Sequence, residues 1–253
     1  MLTRMLRQCL FALVHLVIRV LIGIQNIYDR IAFRRRLSKD TVTQHDIQLI
    51  SKSTPRFQKK LKHLVMMANA EHHTLSDLAC VVIWSLLTGI PYVSFYDIDG
   101  SLKKREKSLF LAVEKYKKGI PGYIKWSHRP DLNGYSNGMH ANTVHVNVFT
   151  HDDGQAKIAL CIREISEKYI PCSRNSKEMT SQEFGDCVSQ VYPSIPDPDL
   201  ILFTGPLCCS QGLLPWHIRL SEFIRLSIDH SINIENYIDA LYRYNQCDQR
   251  FGK

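Results

Sequence analysis

Apolar runs and helical patterns alternate along the central part of the chain. Residues 61–68 form a short apolar run that is typical of a buried parallel strand. Residues 74–77 have the Thr-x-x-Asp form of a helix capping box, and the apolar stretch after them ends at Gly89. A second strand is predicted over 92–96 and a second helix over 102–118. This order predicts a parallel sheet flanked by helices.

The second half of the chain continues this pattern with one exception. Residues 143–149 and 156–160 predict two strands, and the Asp-Gly turn at 151–154 between them favours a hairpin. Further periodic segments predict helices over 159–169, 181–191 and 234–249, and a strand over 200–203. We therefore expect one α/β domain over residues 59–253, preceded by a polar linker over 38–58.

The first 37 residues predict a membrane-associated helix. Residues 9–24 are almost all apolar, but they are fewer than the ~20 that cross a bilayer, and His15 and Arg19 interrupt them. Polar residues recur along one helical stripe, which predicts an amphipathic helix at a lipid surface. Whether it lies on the membrane or spans it stays open, and packing on the protein's own core is the alternative. The arginines at 34–36 suit lipid headgroups and place the folded domain in the cytosol.

Charge and cysteine content narrow the class of protein. The first forty residues hold eight basic side chains against two aspartates, which is +6 of the net charge of +8. A basic apolar segment fits an anionic membrane surface, whereas a nucleic-acid-binding domain carries its basic residues on a folded face. We expect a membrane-lipid partner and no nucleic-acid partner. The eight cysteines form no C-x-x-C pair and predict reduced thiols in a cytosolic domain.

The motifs alone do not define a reaction. Asp97 and Asp99 follow a predicted strand and could hold a divalent metal, although Gly100 makes an ordinary solvated turn the better interpretation. The turn at 151–154 has the same two interpretations. No Walker, G-x-S-x-G or G-x-G-x-x-G pattern occurs, and the histidine pairs match no zinc spacing. These observations predict a membrane-associated α/β domain.

Several segments resemble cis-prenyltransferases. Residues 63–69 (HLVMMAN) resemble the H-x-A-x-I-M-D strand of that family, and residues 90–96 (IPYVSFY) resemble its G-I-x-x-L-T-L-Y strand. Residues 216–223 (WHIRLSEF), preceded by Pro-Asp-Leu at 198–200, resemble the segment in which a strand leads to a W-Q-x-x-x-S-E helix. Residues 250–252 (RFG) resemble the R-x-G motif of two-subunit members. The resemblance implies an undecaprenyl diphosphate synthase-like fold, with a central, mostly parallel sheet flanked by helices.

The departures from the family pattern imply a silent subunit. Asn69 stands where active members have the aspartate that holds magnesium. Phe203 and Cys209 stand where they have phosphate-binding arginines. Glu222 is retained, but one carboxylate without its partners is more consistent with a structural role. The chain is therefore similar to the Nogo-B receptor type of subunit, and we expect no metal ligand in it.

This resemblance implies a reaction carried out with a partner. In the family, a catalytic dehydrodolichyl diphosphate synthase subunit pairs with the silent one at the endoplasmic reticulum membrane. The heteromer condenses isopentenyl diphosphate onto farnesyl diphosphate to make dehydrodolichyl diphosphate for dolichol synthesis and protein glycosylation, with Mg²⁺ in the catalytic subunit. The alternatives are a membrane-attached adaptor or receptor with no role in catalysis, and a stand-alone transferase that uses Asp97 and Asp99.

The residues carried over from the family lie in the tail at 250–253. Arg250 and Gly252 are implied to act in the partner's active site, where Arg250 stabilises the charge of isopentenyl diphosphate and Gly252 lets backbone N–H groups approach its oxygens. Phe251 and Lys253 are implied to fix the tail and complete the substrate-binding segment. The alternative is a frayed tail without function.

Overall fold

The computed structural model describes residues 7, 11, 13–21, 23–24, 44–127, 129–133, 142–169, 179–192 and 195–248. The strands in this part of the chain are β1 His63–Met67, β2 Tyr92–Asp97, β3 Tyr123–Trp126, β4 Thr143–Thr150, β5 Leu200–Thr204 and β6 Glu222–Ser227. The helices are α1 Gln44–Ser53, α2 Leu75–Thr88, α3 Ser101–Lys104, α4 Glu106–Lys117, α5 Gln155–Tyr169, α6 Ser181–Val191 and α7 Ile234–Gln246. Short 3₁₀ turns lie at Thr54–Arg56, Pro130–Leu132 and His151–Asp153.

The six strands form one parallel sheet in the order β3-β4-β2-β1-β5-β6. From β1 the chain first builds the sheet toward β2, and later continues on the other side through β5 and β6. The direction of winding therefore changes between β1 and β5. In open parallel sheets, sites form at such a change, outside the carboxyl ends of the strands.

Both faces of the sheet are buried, as the alternation along β1 shows. Leu64 and Met66 belong to a large apolar core with α2, α4 and α7, and Val65 and Met67 belong to a second core with α5 and α6. A strand covered on both sides reads as a continuous apolar run rather than as an alternating pattern. This is why residues 61–68 already predicted a parallel strand.

The predicted ends of α2 are confirmed. The Thr74 side chain accepts the N–H of Asp77 at 3.0 Å, and the Asp77 carboxylate accepts the N–H of Thr74 at 2.9 Å. Gly89 ends the helix in the left-handed region, with φ of 77°, which costs a glycine little. Helix α2 therefore begins after Thr74 and ends before Gly89, as the capping box and the glycine predicted.

Two features differ from the sequence-based expectations. The segment assigned to the 38–58 linker contains α1, whose Ile50 is buried in the core and whose Asp46 accepts the indole N–H of Trp84. The expected hairpin after β4 is wrong, because the turn at His151–Asp153 leads into α5. The apolar run at 156–160 is part of that helix, and β4 pairs only with parallel neighbours.

Residues 1–40 form a compact unit separate from residues 41–253. The described residues of this unit are helical, and their large apolar side chains are exposed, among them Phe11, Leu16 and Leu21. The His15 ring donates from Nδ1 to the Phe11 carbonyl at 3.2 Å, one turn earlier. Among the described residues, no helix is both long and apolar enough to cross a membrane.

Candidate functional site

A small cleft lies at the change of winding direction, outside the carboxyl ends of β1, β2 and β5. Its volume is about 120 Å³. The residues that line it come from the ends of these three strands and from the loops after β5 and β6: Met67, Ala68, Asn69, Asp97, Ile98, Asp99, Phe203, Thr204, Leu207, Cys209, Gln211 and His230. Asn69, Phe203 and Cys209, which the sequence analysis placed at one site, therefore do share one cleft.

A network of side chains ties together the strand ends around this cleft. The Asn69 N–H donates to His73 Nδ1 at 3.0 Å, so this ring nitrogen is an acceptor and the proton of the neutral ring is on Nε2. Nε2 then donates to Thr204 Oγ1 at 3.0 Å, which also bonds His230 Nδ1 at 2.9 Å. His230 stacks on His72 at a centroid distance of 3.9 Å. Sequence patterns carry no signal for the bond that links its two halves, because His73 and Thr204 are 131 residues apart.

Asp97 has a structural role at the cleft. Its carboxylate is buried and accepts the N–H of Leu102 at 2.6 Å and the hydroxyl of Ser101 at 3.0 Å, so it caps the start of α3. Asp99 is exposed in the turn that follows. The expected turn is confirmed, but Asp97 is not solvated in it, and its capping bonds compete with metal binding.

Asp153, from the other ambiguous turn, is also a structural residue. It accepts the N–H of Thr150 at 3.0 Å and pairs with Lys103 and Lys157 at 3.4 and 3.5 Å. Burial raises the pKa of Asp153, but the Thr150 N–H and the two lysines outweigh it, so the pKa lies below its ordinary value. The carboxylate therefore stays ionised and fixes the turn from β4 into α5.

The described side chains that line the cleft do not carry the positive charge that binding of a diphosphate requires. Its described lining residues include Asp97 and Asp99 but no lysine or arginine. The nearest guanidinium along β6, that of Arg225, lies 5.6 Å from the centre of the Phe203 ring and donates to the Pro206 carbonyl at 3.0 Å. A multiply charged anion needs charge-assisted donors. In place of such donors, the cleft is lined by two carboxylates and by the Phe203 ring.

The segment from Trp216 to Glu222 differs from its expected form. Residues 216–220 form turns rather than the helix that the family resemblance implied, and Glu222 begins β6. Glu222 pairs with Leu200 at the amino ends of the strands, and its N–H donates to the Asp199 carbonyl at 2.9 Å. Glu222 therefore lies at the amino ends of the strands, whereas Asn69 follows the carboxyl end of β1. This position supports the structural role expected for Glu222.

Helix α7, which precedes the predicted tail, ends near the amino ends of the strands. Asn245 Oδ1 accepts the N–H groups of Gln58 and Lys59, both at 2.9 Å, and Lys59 Nζ donates to the Cys247 carbonyl at 2.6 Å. These residues lie four or five positions before β1. Arg250, Phe251, Gly252 and Lys253 lie outside the described residues, so their assignment stays a prediction.

Within the part of the chain that the structure describes, no group of three or more His, Cys, Asp or Glu side chains is arranged to hold a metal ion. At the cleft, Asn69 presents a neutral amide whose Oδ1 accepts the N–H of Glu71 at 2.8 Å. The residues present do not fit a magnesium site, and we derive no step of a reaction through a metal in this chain.

Comparisons with known proteins agree with the architecture. No protein-family model matches the sequence. The chain is 29% identical over 193 residues to the human dehydrodolichyl diphosphate synthase complex subunit NUS1, which takes in 75% of this chain and 65% of the human protein. The subunit of that name from Schizosaccharomyces pombe is 24% identical over 219 residues, 81% of each chain. The chain thus spans slightly less than two thirds of the human protein's length.

A solved structure has the same arrangement of the sheet and helices. Lavandulyl diphosphate synthase from Lavandula x intermedia, in complex with dimethylallyl diphosphate, superposes with a TM-score of 0.54 at 14% identity, over 77% of this chain and 99% of that one. The chain is an α/β protein with the fold of the cis-prenyltransferases. It is a homologue of the proteins named dehydrodolichyl diphosphate synthase complex subunit NUS1.

Proposed function

We propose that this chain is the non-catalytic subunit of a heteromeric cis-prenyltransferase, which condenses isopentenyl diphosphate onto farnesyl diphosphate together with a catalytic subunit. The observation that carries the proposal is the cleft, which has the place of a prenyltransferase site but no cationic side chain among its described lining residues. A chain with this cleft cannot clamp a diphosphate by itself. Magnesium and the diphosphate-binding charges belong to the partner.

The place where the described chain ends supports an action of the tail on the partner rather than on the chain's own cleft. The Cys247 carbonyl lies beside Lys59 at the amino edge of the sheet, and Asn69 lies beyond the carboxyl end of β1. The rise of an extended strand puts about 20 Å between His63 and Asn69. The Arg250 backbone can reach no farther than about 11 Å from Cys247, at the ~3.6 Å per residue of an extended chain. Arg250 is therefore available to a second subunit.

We assign the partner surface to the side of the sheet that ends in β6. Among the described strands, β6 lies at the edge of the sheet and none pairs with its outer side, although Arg243 donates to the Arg225 carbonyl. The exposed apolar side chains around it are Leu207, Trp216, Leu220 and Ile228. An apolar patch beside an open strand edge is typical of a protein interface. A catalytic subunit with the same fold could cover both features.

The N-terminal helix supports attachment to the endoplasmic reticulum membrane, with the folded domain in the cytosol. Its described apolar side chains are exposed, Phe11 by 66% for example, and a basic run follows at 34–36. An exposed apolar helix with flanking arginines suits a lipid surface. The anchor would keep a very apolar polyprenyl product close to lipid. Deleting residues 1–37 should release the protein from membranes without preventing assembly.

Reconstitution tests the proposed function. Labelled isopentenyl diphosphate and farnesyl diphosphate are supplied to this chain, to a catalytic dehydrodolichyl diphosphate synthase subunit, and to the two together. We expect strong polyprenyl synthesis only from the mixture. Activity of this chain alone would refute the proposal, and unchanged activity on mixing would favour an adaptor with a prenyltransferase fold.

Two variants of this chain sharpen that assay. Arg250→Ala should lower the activity of the mixture while the subunits still co-purify, because it removes the charge implied to reach isopentenyl diphosphate. Arg56→Ala is the matched control, since Arg56 is an exposed arginine of a 3₁₀ turn. Equal activity of both variants would show that the tail plays no part in the reaction.

A further inference from the structure

Four contacts fasten the end of α7 to the segment that leads into β1. Asn245 Oδ1 accepts the N–H groups of Gln58 and Lys59 at 2.9 Å each. Lys59 Nζ donates to the Cys247 carbonyl at 2.6 Å and lies 4.7 Å from the centre of the Tyr244 ring. These contacts join segments that are about 187 residues apart in the chain. They hold the last turn of the helix against the body of the domain.

The contacts lie at the point where the chain leaves the helix. α7 ends at Gln246, and Cys247 is extended, with φ of −68° and ψ of 129°. The Lys59 ammonium holds the carbonyl of this first residue outside the helix, and Arg250 is only three residues farther on. A backbone fixed at Cys247 limits the volume that the Arg250 side chain can sample, and it reduces the entropy lost when that side chain binds a substrate.

We propose that Lys59 and Asn245 are positioning residues that fix the point from which Arg250 extends into the partner's active site. The inference rests on the proposed function and adds two residues to it. Neither residue touches the reacting atoms. Each acts through the backbone that precedes Arg250, Lys59 by its bond to the Cys247 carbonyl and Asn245 by its bonds to the segment before β1.

Kinetics of the reconstituted complex provide the first test. Lys59→Ala should lower kcat/KM for isopentenyl diphosphate by roughly tenfold, the order expected for one charge-assisted hydrogen bond. The loss should fall mainly on KM, because the implied role of Arg250 is to bind the diphosphate. Lys59→Arg keeps a cationic donor and should lose less of kcat/KM than Lys59→Ala does. Lys60→Ala is the matched control, since this exposed neighbour makes none of the four contacts.

A double-mutant cycle decides whether Lys59 acts through the tail. In the Arg250→Ala background, Lys59→Ala should have almost no further effect, because the side chain that it positions is gone. Losses that multiply would overturn the proposal, and so would a Lys59→Ala complex with unchanged kinetics. Lys59→Ala activity that Lys59→Arg does not rescue would also count against it.

Hydrogen exchange gives a test that does not depend on activity. Asn245→Ala should speed exchange of the Gln58 and Lys59 amides, and both it and Lys59→Ala should speed exchange of the Cys247 amide, which donates to the Tyr244 carbonyl at 3.1 Å, while the strands stay protected. Unchanged exchange of the Cys247 amide would overturn the positioning role even if the parent complex were inactive. A parent complex without activity would instead refute the proposed function, so the two failures are distinguishable.

Discussion

Replacing His63 by glutamine should remove part of the acid sensitivity of this fold, to which His145 and His217, whose pKa values burial also lowers, contribute in the same direction. His63 is fully buried at the start of β1, where Nδ1 bonds the Pro196 carbonyl at 2.7 Å and Nε2 bonds Ser94 Oγ at 2.7 Å. Burial lowers the pKa of His63 from 6.5 to about 4, against the opposing effects of the Pro196 carbonyl and Asp199. The ring therefore stays neutral in the folded protein at pH values that protonate it in the unfolded chain.

The size of the effect follows from the two pKa values. Below pH 6.5 the unfolded chain binds a proton that the folded protein binds only near pH 4. The stabilisation by neutral His63 is complete above pH 6.5 and is lost as the pH falls through this window. At about 1.4 kcal/mol for each pH unit, the loss in the free energy of unfolding is about 3 kcal/mol.

Urea denaturation from pH 7.5 to pH 4 measures this loss. His63→Gln is expected to be less stable at pH 7, because two buried hydrogen bonds are altered. The test is the slope of the free energy of unfolding against pH, which should be smaller in the variant. Burial raises the pKa of Glu106 and of Asp197, which act in the opposite direction, but they are common to both proteins. His45→Gln, at an exposed histidine, is the control and should keep the parent's slope of unfolding free energy against pH. Equal slopes in the parent and in both variants would refute the reasoning.

Four further substitutions test other parts of the structure. Asp153→Asn should lower the free energy of unfolding by about 1 kcal/mol at pH 7, since the charge that pairs with Lys103 and Lys157 is lost while the amide can still accept the Thr150 N–H. The Thr150 N–H and the two lysines hold the pKa of Asp153 below its ordinary value, so the difference should narrow as the pH of urea titrations falls from 7 through that lowered pKa. Gly205→Ala should cost roughly 2 kcal/mol or more in thermal unfolding, because φ is 87° and a Cβ would lie 2.5 Å from the His230 ring. Tyr237→Phe and Ser85→Ala, whose hydroxyls lie 2.9 Å apart, should each cost about 1 kcal/mol, and together less than the sum.

The controls for these substitutions come from the same chain. Gly119 has φ of 79° but no atom within 4 Å of an added Cβ, so Gly119→Ala separates backbone strain from the clash at Gly205. Equal losses at both glycines would mean that the contact with His230 is unimportant. Strictly additive losses at Tyr237 and Ser85 would mean that their hydroxyls do not interact. An Asp153→Asn difference that does not narrow as the pH is lowered would contradict the role assigned to the carboxylate.

The sequence predicted the central elements of the sheet and failed at its edges. β1 and β2 are buried on both faces and read as apolar runs, and the Thr74 capping box marked α2. β3 and β6 were not predicted, because an edge strand is partly solvated and accepts residues such as Lys125 and Arg225. Residues 156–160 read as a strand because the apolar side of α5 supplies a short apolar run in a window too short to separate the two periods.

The candidate site was only partly accessible from the sequence. The family resemblance placed Asn69 and Phe203 correctly at one cleft, because each follows or ends a recognised strand. It could not show that Asp97 caps a helix, since the same dipeptide pattern precedes metal sites and turns. The bond from His73 to Thr204 joins residues 131 positions apart, a distance at which pattern and spacing carry no information.

The hydrogen-bonded network of His73, Thr204 and His230 around the cleft has a consequence for stability. In an enzyme, the residues that surround a reacting substrate commonly keep strain, unpaired groups or mobile loops, and the fold is less stable for it. Here Thr204 joins His73 and His230, so that three neighbouring strand ends are held together by side chains. If the proposed function is right, this chain turns over no substrate and is free of that conflict. The hydrogen bonds of Thr204 can therefore stabilise the carboxyl ends of these strands, and a surface that is already ordered loses little entropy when a partner docks on it.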